Sequence, residues 1–132
     1  MSEKNRGLIL GIILSLITII IASFFSKPKE IEFFAVVLMG IAAVYFGYAF
    51  LSGGAKEIII EVTNITLFFI LILAGLWINP LVLVIGYFWH GIWDAIHRRE
   101  SQIVKTKVPE WYIYFCMIYD WIIGAFILIR LI

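Results

Sequence analysis

The sequence predicts an all-α polytopic transmembrane helical bundle of five spans, with four as the alternative and the N-terminus cytoplasmic. Three observations carry this prediction. The chain of 132 residues is 64% hydrophobic and only 14% charged, more apolar side chain than a soluble domain of that length encloses. Its apolar runs approach the ~20 residues that cross ~30 Å of hydrocarbon. Its lysines and arginines sort mainly to one side when the runs are counted as crossings.

The first run, Gly7 to Phe25, is 19 residues long and lacks a small-x-small cleavage site, so it reads as a retained helix and not a signal peptide. The second spans 33–51 after the hinge SKPKEIE. The stretch from Ile65 to Trp89 is either one long helix kinked at Pro80 or two helices turning at Asn79-Pro80. Proline lacks a backbone donor and pushes the residue before it out of the helical region, which favours the turn. Charge agrees: five spans place Lys4, Arg6, Lys56, Arg98, Arg99, Lys105 and Lys107 inside against Lys27, Lys29 and Arg130 outside, seven against three, whereas four spans give six against four at best. The third and fourth spans are then about 57–78 and 80–97, and both must recruit polar residues to reach across. The fifth covers 111–131. All five form a single integral domain, multi-pass in the cell (inner) membrane.

Ten Lys+Arg against nine Asp+Glu leave no basic footprint for nucleic acid. The expected partners are instead the lipid bilayer, a lipidic ligand and further copies of the chain. The lone Cys116 excludes an intrachain disulfide.

Polar residues recur at helical spacing on three of the spans. Glu57, Glu61 and Asn64 share one stripe; His90, Asp94 and His97 share another; Tyr112, Cys116 and Asp120 form a third. Measured along their helices, all of them fall in the half of the bilayer next to the cytoplasm, with the outer helix ends left apolar. A carboxylate facing lipid costs ~2.5 kcal/mol or more, so these faces are expected to meet in one interior pocket. The bland reading is helix adhesion through polar contacts. Intramembrane ionisable residues more often mark function.

Imidazole with carboxylate is a common ligand set for a divalent metal such as zinc, iron or manganese. The candidate metal residues are His90, Asp94, His97 and Glu61, and Asp120 joins His90, Asp94 and His97 as a candidate catalytic group. Because His90 and His97 lie ~10 Å apart along one helix, one ion takes His90 with Asp94, or Asp94 with His97, plus Glu61 or Asp120 from a neighbour. Alternatively, Asp94 orients one imidazole as a general base. The expected function is a membrane-embedded enzyme or binding protein for a lipidic or amphiphilic small molecule. A proton- or ion-coupled transporter or relay, and an accessory subunit of a membrane complex, are the alternatives.

The block WHGIWDAIHRR followed by VPEWYIYFCMIYDWIIGAF resembles a group of uncharacterised small multi-pass bacterial membrane proteins. That resemblance implies that His90, Asp94, His97, Cys116 and Asp120 act together; it implies no substrate. Gly7, Gly11 and Ser15, and likewise Gly40, Ala43 and Gly47, form small-residue stripes that permit close helix approach within the chain or between copies. Trp77 and Trp111 are expected at the interface, with Trp89, Trp93 and Trp121 as further interface or pocket-lining residues. Arg98, Arg99, Lys105 and Lys107 set topology, with a second role in holding a lipid phosphate.

Overall fold

The structure, a computed structural model, describes residues 1–98, 100–101 and 103–132. Five helices run in chain order: α1 (Glu3–Ala22), α2 (Lys27–Ser52), α3 (Ala55–Trp77), α4 (Leu81–Ile96) and α5 (Glu110–Leu131), with no strand among the described residues. α1, α2, α3 and α5 are long and apolar enough to cross a membrane, and α4 is a shorter apolar helix of 16 residues.

The sequence-based boundaries shift where local chemistry differs from hydropathy. Ser2 caps α1 by accepting from the Asn5 N–H at 3.2 Å, so the helix starts in the polar N-terminal segment. The expected hinge SKPKEIE is mostly helix, because Pro28 occupies the first turn of α2, where a missing N–H costs nothing. At Asn79-Pro80 the chain reverses, as the turn reading requires. The Asn79 side-chain oxygen accepts from the Leu81 N–H at 3.0 Å, the local bond that makes asparagine a turn former. The alternative of one long helix through Pro80 does not form.

Contacts along the helices fix their directions. Gly7 lies against Trp111 and Gly11 against Phe115, so α1 and α5 run parallel. Leu38 meets Gly86 and Tyr45 meets Asp94, so α2 runs with α4. Gly75 meets Leu83 while Glu61 meets His97, so α3 and α4 are antiparallel and α4 traverses the same depth as its longer neighbours. The chain thus crosses the bundle five times. One end, here the near end, gathers the starts of α1, α3 and α5 with the finishes of α2 and α4.

α4 is the central helix, burying Leu83, Val84, Gly86, Tyr87, His90, Gly91 and Asp94. Small residues let its neighbours close in. A Cβ on Gly75 would stand 3.0 Å from the Leu83 backbone nitrogen, one on Gly86 2.9 Å from Leu38, and one on Gly124 3.2 Å from the Tyr87 Cβ. α1 docks on α5 through its stripe Gly7, Gly11, Ser15, Thr18 and Ala22. The second expected stripe makes no close approach within the chain: Gly40 and Ala43 are exposed, and among the described residues nothing lies within 4 Å of a Cβ built on Gly40 or Gly47.

An apolar core fills the far half of the bundle, built on Phe34, Leu38, Phe68, Leu83, Ile123 and Ile127. Tyr87 crosses it and donates its hydroxyl to the Phe34 carbonyl at 2.6 Å. The expectation of purely apolar far ends needs correction. Glu30, buried at the start of α2, receives a two-pronged ion pair from Arg130 at the end of α5, with N···O distances of 3.3 and 2.9 Å. The fork geometry of arginine suits such a pairing.

Candidate functional site

The near half of the bundle holds the polar residues, and it holds them in two layers. Helix rotation decides which residue enters which layer.

The deeper layer joins α4, α5 and α2. His90 and Asp94 stand one turn apart on α4, and Asp120 reaches in from α5; all three are wholly buried. His90 Nδ1 lies 2.6 Å from Asp120 Oδ2 and 3.5 Å from Asp94 Oδ2. The hydroxyl of Tyr45, buried on α2, donates to Asp94 Oδ1. Phe68 of α3 closes one side, its ring centre 5.0 Å from that of His90. Each of His90, Asp94 and Asp120 offers one ligand atom to a cluster in which these atoms lie within 4.8 Å of one another. Each also keeps one buried polar atom, His90 Nε2, Asp94 Oδ2 and Asp120 Oδ1, without a hydrogen-bond partner among the described residues. Protein interiors rarely leave such atoms unpartnered without a water, an ion or a catalytic role to account for them.

Charge sharpens the point. Two carboxylates face one imidazole, and among the described residues no lysine or arginine is buried beside them. Even with the imidazole protonated and both acids ionised, the layer carries an excess negative charge in a low-dielectric interior, which is expensive. Charge balances in either of two ways: an imidazolium with one carboxylate and one protonated carboxyl, or a neutral imidazole with two carboxylates and one divalent cation.

The shallower layer joins α3, α4 and the segment leading into α5. His97 is the C-terminal cap of α4. Its Nδ1 faces the Trp93 carbonyl oxygen at 2.7 Å and its Nε2 faces Glu61 Oε1. A carbonyl can only accept, so Nδ1 carries a proton. Glu61 also receives the Trp93 indole N–H at 3.1 Å and the Thr106 hydroxyl at 3.2 Å. The side chain of Trp89 donates to Asn64 Oδ1 at 3.2 Å.

The residues singled out in the sequence therefore divide. His90, Asp94 and Asp120 come together, whereas Glu61 and His97 pair with each other and stand outside that cluster. Glu57 does not join either layer: its carboxylate accepts from the Gly54 N–H at 3.1 Å and caps α3. Asn64 braces Trp89. Cys116 is a buried free thiol one turn before Asp120, and Tyr112 borders the site through ring contacts with Tyr45 and Tyr48, at 6.1 and 5.7 Å between centres. Arg99 lies outside the described residues. Trp77 is exposed at the end of α3, while Trp89 and Trp93 serve as hydrogen-bond donors to the site.

Two residues escaped the sequence reading. Tyr45 links the layers, its ring centre 4.4 Å from that of His97 and 5.6 Å from that of His90. The signal was a phenol near the middle of an apolar run, where its hydroxyl needs a partner. Thr106 sits in a loop and gives no comparable signal.

Above the shallow layer, at the near end, lies an open basin of about 660 Å³ lined by Tyr48, His97, Arg98, Lys105, Thr106 and Lys107 with apolar neighbours. His97 and Thr106, both part of the shallow layer, also face this basin. No curated protein and no solved structure matches the chain. A family model does match, over residues 6–131, and so covers every residue of both layers; the chain belongs to that family, described as a family of unknown function, DUF6010.

Proposed function

We propose that the protein is a multi-pass protein of the cell (inner) membrane, N-terminus cytoplasmic, that binds a divalent metal ion in its deeper layer and a lipidic or amphiphilic molecule at the cytoplasmic leaflet. The observation that carries this reading is the His90–Asp94–Asp120 cluster, three buried residues with ligand atoms within 4.8 Å. Nitrogen and carboxylate donors suit zinc, iron or manganese better than a soft ion. Tyr45, bonded to Asp94, would orient that carboxylate, the supporting role that outer partners of metal ligands commonly play. Membrane placement is supported by exposed apolar faces such as Leu16 and Ile20 of α1, Val36 of α2 and Ile59 and Ile70 of α3, which in water would be a gross liability. The orientation rests on the lysine and arginine distribution.

The ion would lie one layer below the open basin, with Tyr45 and His97 between. This favours a binding protein with a buried metal centre over an enzyme whose ion touches a molecule in the basin. A relay is the second reading, favoured by the succession of ionisable side chains His97, Tyr45, Asp94, His90 and Asp120, in which His97 meets Tyr45 through a ring contact and the others follow through polar contacts. Beyond Asp120, however, α5 continues with the core residues Ile123 and Ile127, which cannot carry a proton.

Elemental analysis of the detergent-purified protein tests the metal reading. About one zinc, iron or manganese ion per chain is expected, lost in His90→Ala and Asp120→Asn and retained in Cys116→Ser. A metal-free wild type, or equal metal in all variants, would overturn it. A metal-free protein that conducts protons in liposomes would establish the relay instead.

A further inference from the structure

The basin above His97 has a chemistry of its own. Among the described residues, three cationic side chains, Arg98, Lys105 and Lys107, line it, and no carboxylate does. In a chain whose formal net charge is only +1, that is a local concentration of positive charge. The acids nearby line other surfaces: Glu100 and Glu110 line a separate small crevice that Arg98 also borders, and Glu61 is sealed beneath Thr106.

The segment that builds the rim is neither helix nor strand, and its residues alternate. Val104 and Thr106 are buried, whereas Lys105 and Lys107 are exposed. A period of two is what an extended backbone imposes. The Thr106 hydroxyl, bonded to Glu61 at 3.2 Å, pins the segment to the bundle and holds the two lysines over the basin. Arg98 uses its Nε on the Ala95 carbonyl at 3.1 Å, which fixes the root of its guanidinium.

We propose that this basin binds a phosphate group carried by an amphiphile or a small soluble ester. A volume of about 660 Å³ falls in the range of small-molecule sites, ~300–1,000 Å³, so there is room for more than the phosphate itself. An arginine fork with two lysine point charges is a phosphate-binding set. The exposed Leu51, three residues beyond Tyr48 and so on the same face of α2, offers an apolar side chain toward an acyl chain. The site does not require the buried ion. It deepens the proposed reading only in naming the head-group class.

The test uses the full-length protein in a neutral detergent, titrated calorimetrically with inorganic phosphate and, separately, with dioctanoyl phosphatidic acid. Saturable binding is expected, weakened about tenfold or more in Lys105→Gln/Lys107→Gln, since each basic residue at such a surface contributes ~1 kcal/mol. The far-end control Lys27→Gln/Lys29→Gln should bind as wild type. Binding of both probes, or of phosphate alone, assigns recognition to the phosphate itself; binding of the lipid alone assigns a lipid head group. Retention of binding in Asp120→Asn, which removes a proposed metal ligand, separates this inference from the metal reading. Failure of both probes to bind, or equal affinity in the double-lysine variant, would overturn it.

Discussion

Replacing Glu61 with leucine is expected to lower the stability of the protein by about 3–5 kcal/mol, the usual cost of removing one partner from a buried ion pair. Glu61 is wholly buried and accepts from three side chains at once, His97, Trp93 and Thr106. Leucine fills the volume and satisfies none of them. The damage should extend to the loop, because Thr106 loses the anchor that holds the lysine-bearing segment against the bundle. Glu61→Gln keeps an acceptor and should cost clearly less. Unfolding in mixed micelles, followed by tryptophan fluorescence, reads both effects, since Trp93 reports directly on the pair. A loss under about 1 kcal/mol for Glu61→Leu, the range of an exposed pair, would show that the shallow layer does not hold the near end together.

The second large effect lies in backbone packing. A Cβ at Gly7 would fall on the Trp111 carbonyl oxygen, and one at Gly11 would stand 2.6 Å from the Phe115 carbonyl oxygen. Neither obstacle is a side chain that can swing away. Gly7→Leu and Gly11→Leu should therefore push α1 off α5, costing at least the ~1–3 kcal/mol typical of overpacking. They should also leave the N-terminal helix open to protease in detergent. Gly91 offers an instructive contrast, because the atom a Cβ would meet there belongs to the half-exposed Trp121 indole, which can move outward. Gly40→Leu is the control: with nothing among the described residues within 4 Å, it should not destabilise the protein, leucine being the better helix former. Equal loss in Gly7→Leu and Gly40→Leu would contradict the packing described here.

What could be read in the sequence follows from what is local. The reversal at Asn79-Pro80 was legible because turn chemistry is written in two residues, and the number of helices followed from it. The sharing of an interior by α3, α4 and α5 was legible because helical spacing places Glu61, His90, Asp94 and Asp120 on inward faces. Pairing was not. His90 and His97 stand two turns apart on one face, and the spacing leaves open which acid each one meets: His97 sits at the end of α4, where its ring meets Glu61 on α3, while His90 meets Asp120 on α5. Only the rotation and offset of neighbouring helices decide that, and no single-helix periodicity carries them. Tyr45 was hidden for a related reason: its stripe of Phe34, Leu38, Ala42 and Ala49 looks like any apolar face. Glu57 misled in the opposite direction. It shares the spacing of Glu61 but lies in the first turn, where capping the helix competes with facing inward.

X-ray absorption spectroscopy at the edge of the proposed metal is the most direct probe of the deeper layer. The coordination set proposed here gives one imidazole nitrogen with carboxylate oxygens, all at about 2.0–2.2 Å, unchanged in His97→Gln and in Cys116→Ser. A sulfur shell from Cys116, a second imidazole from His97, or a spectrum indifferent to the loss of Asp120 would contradict it.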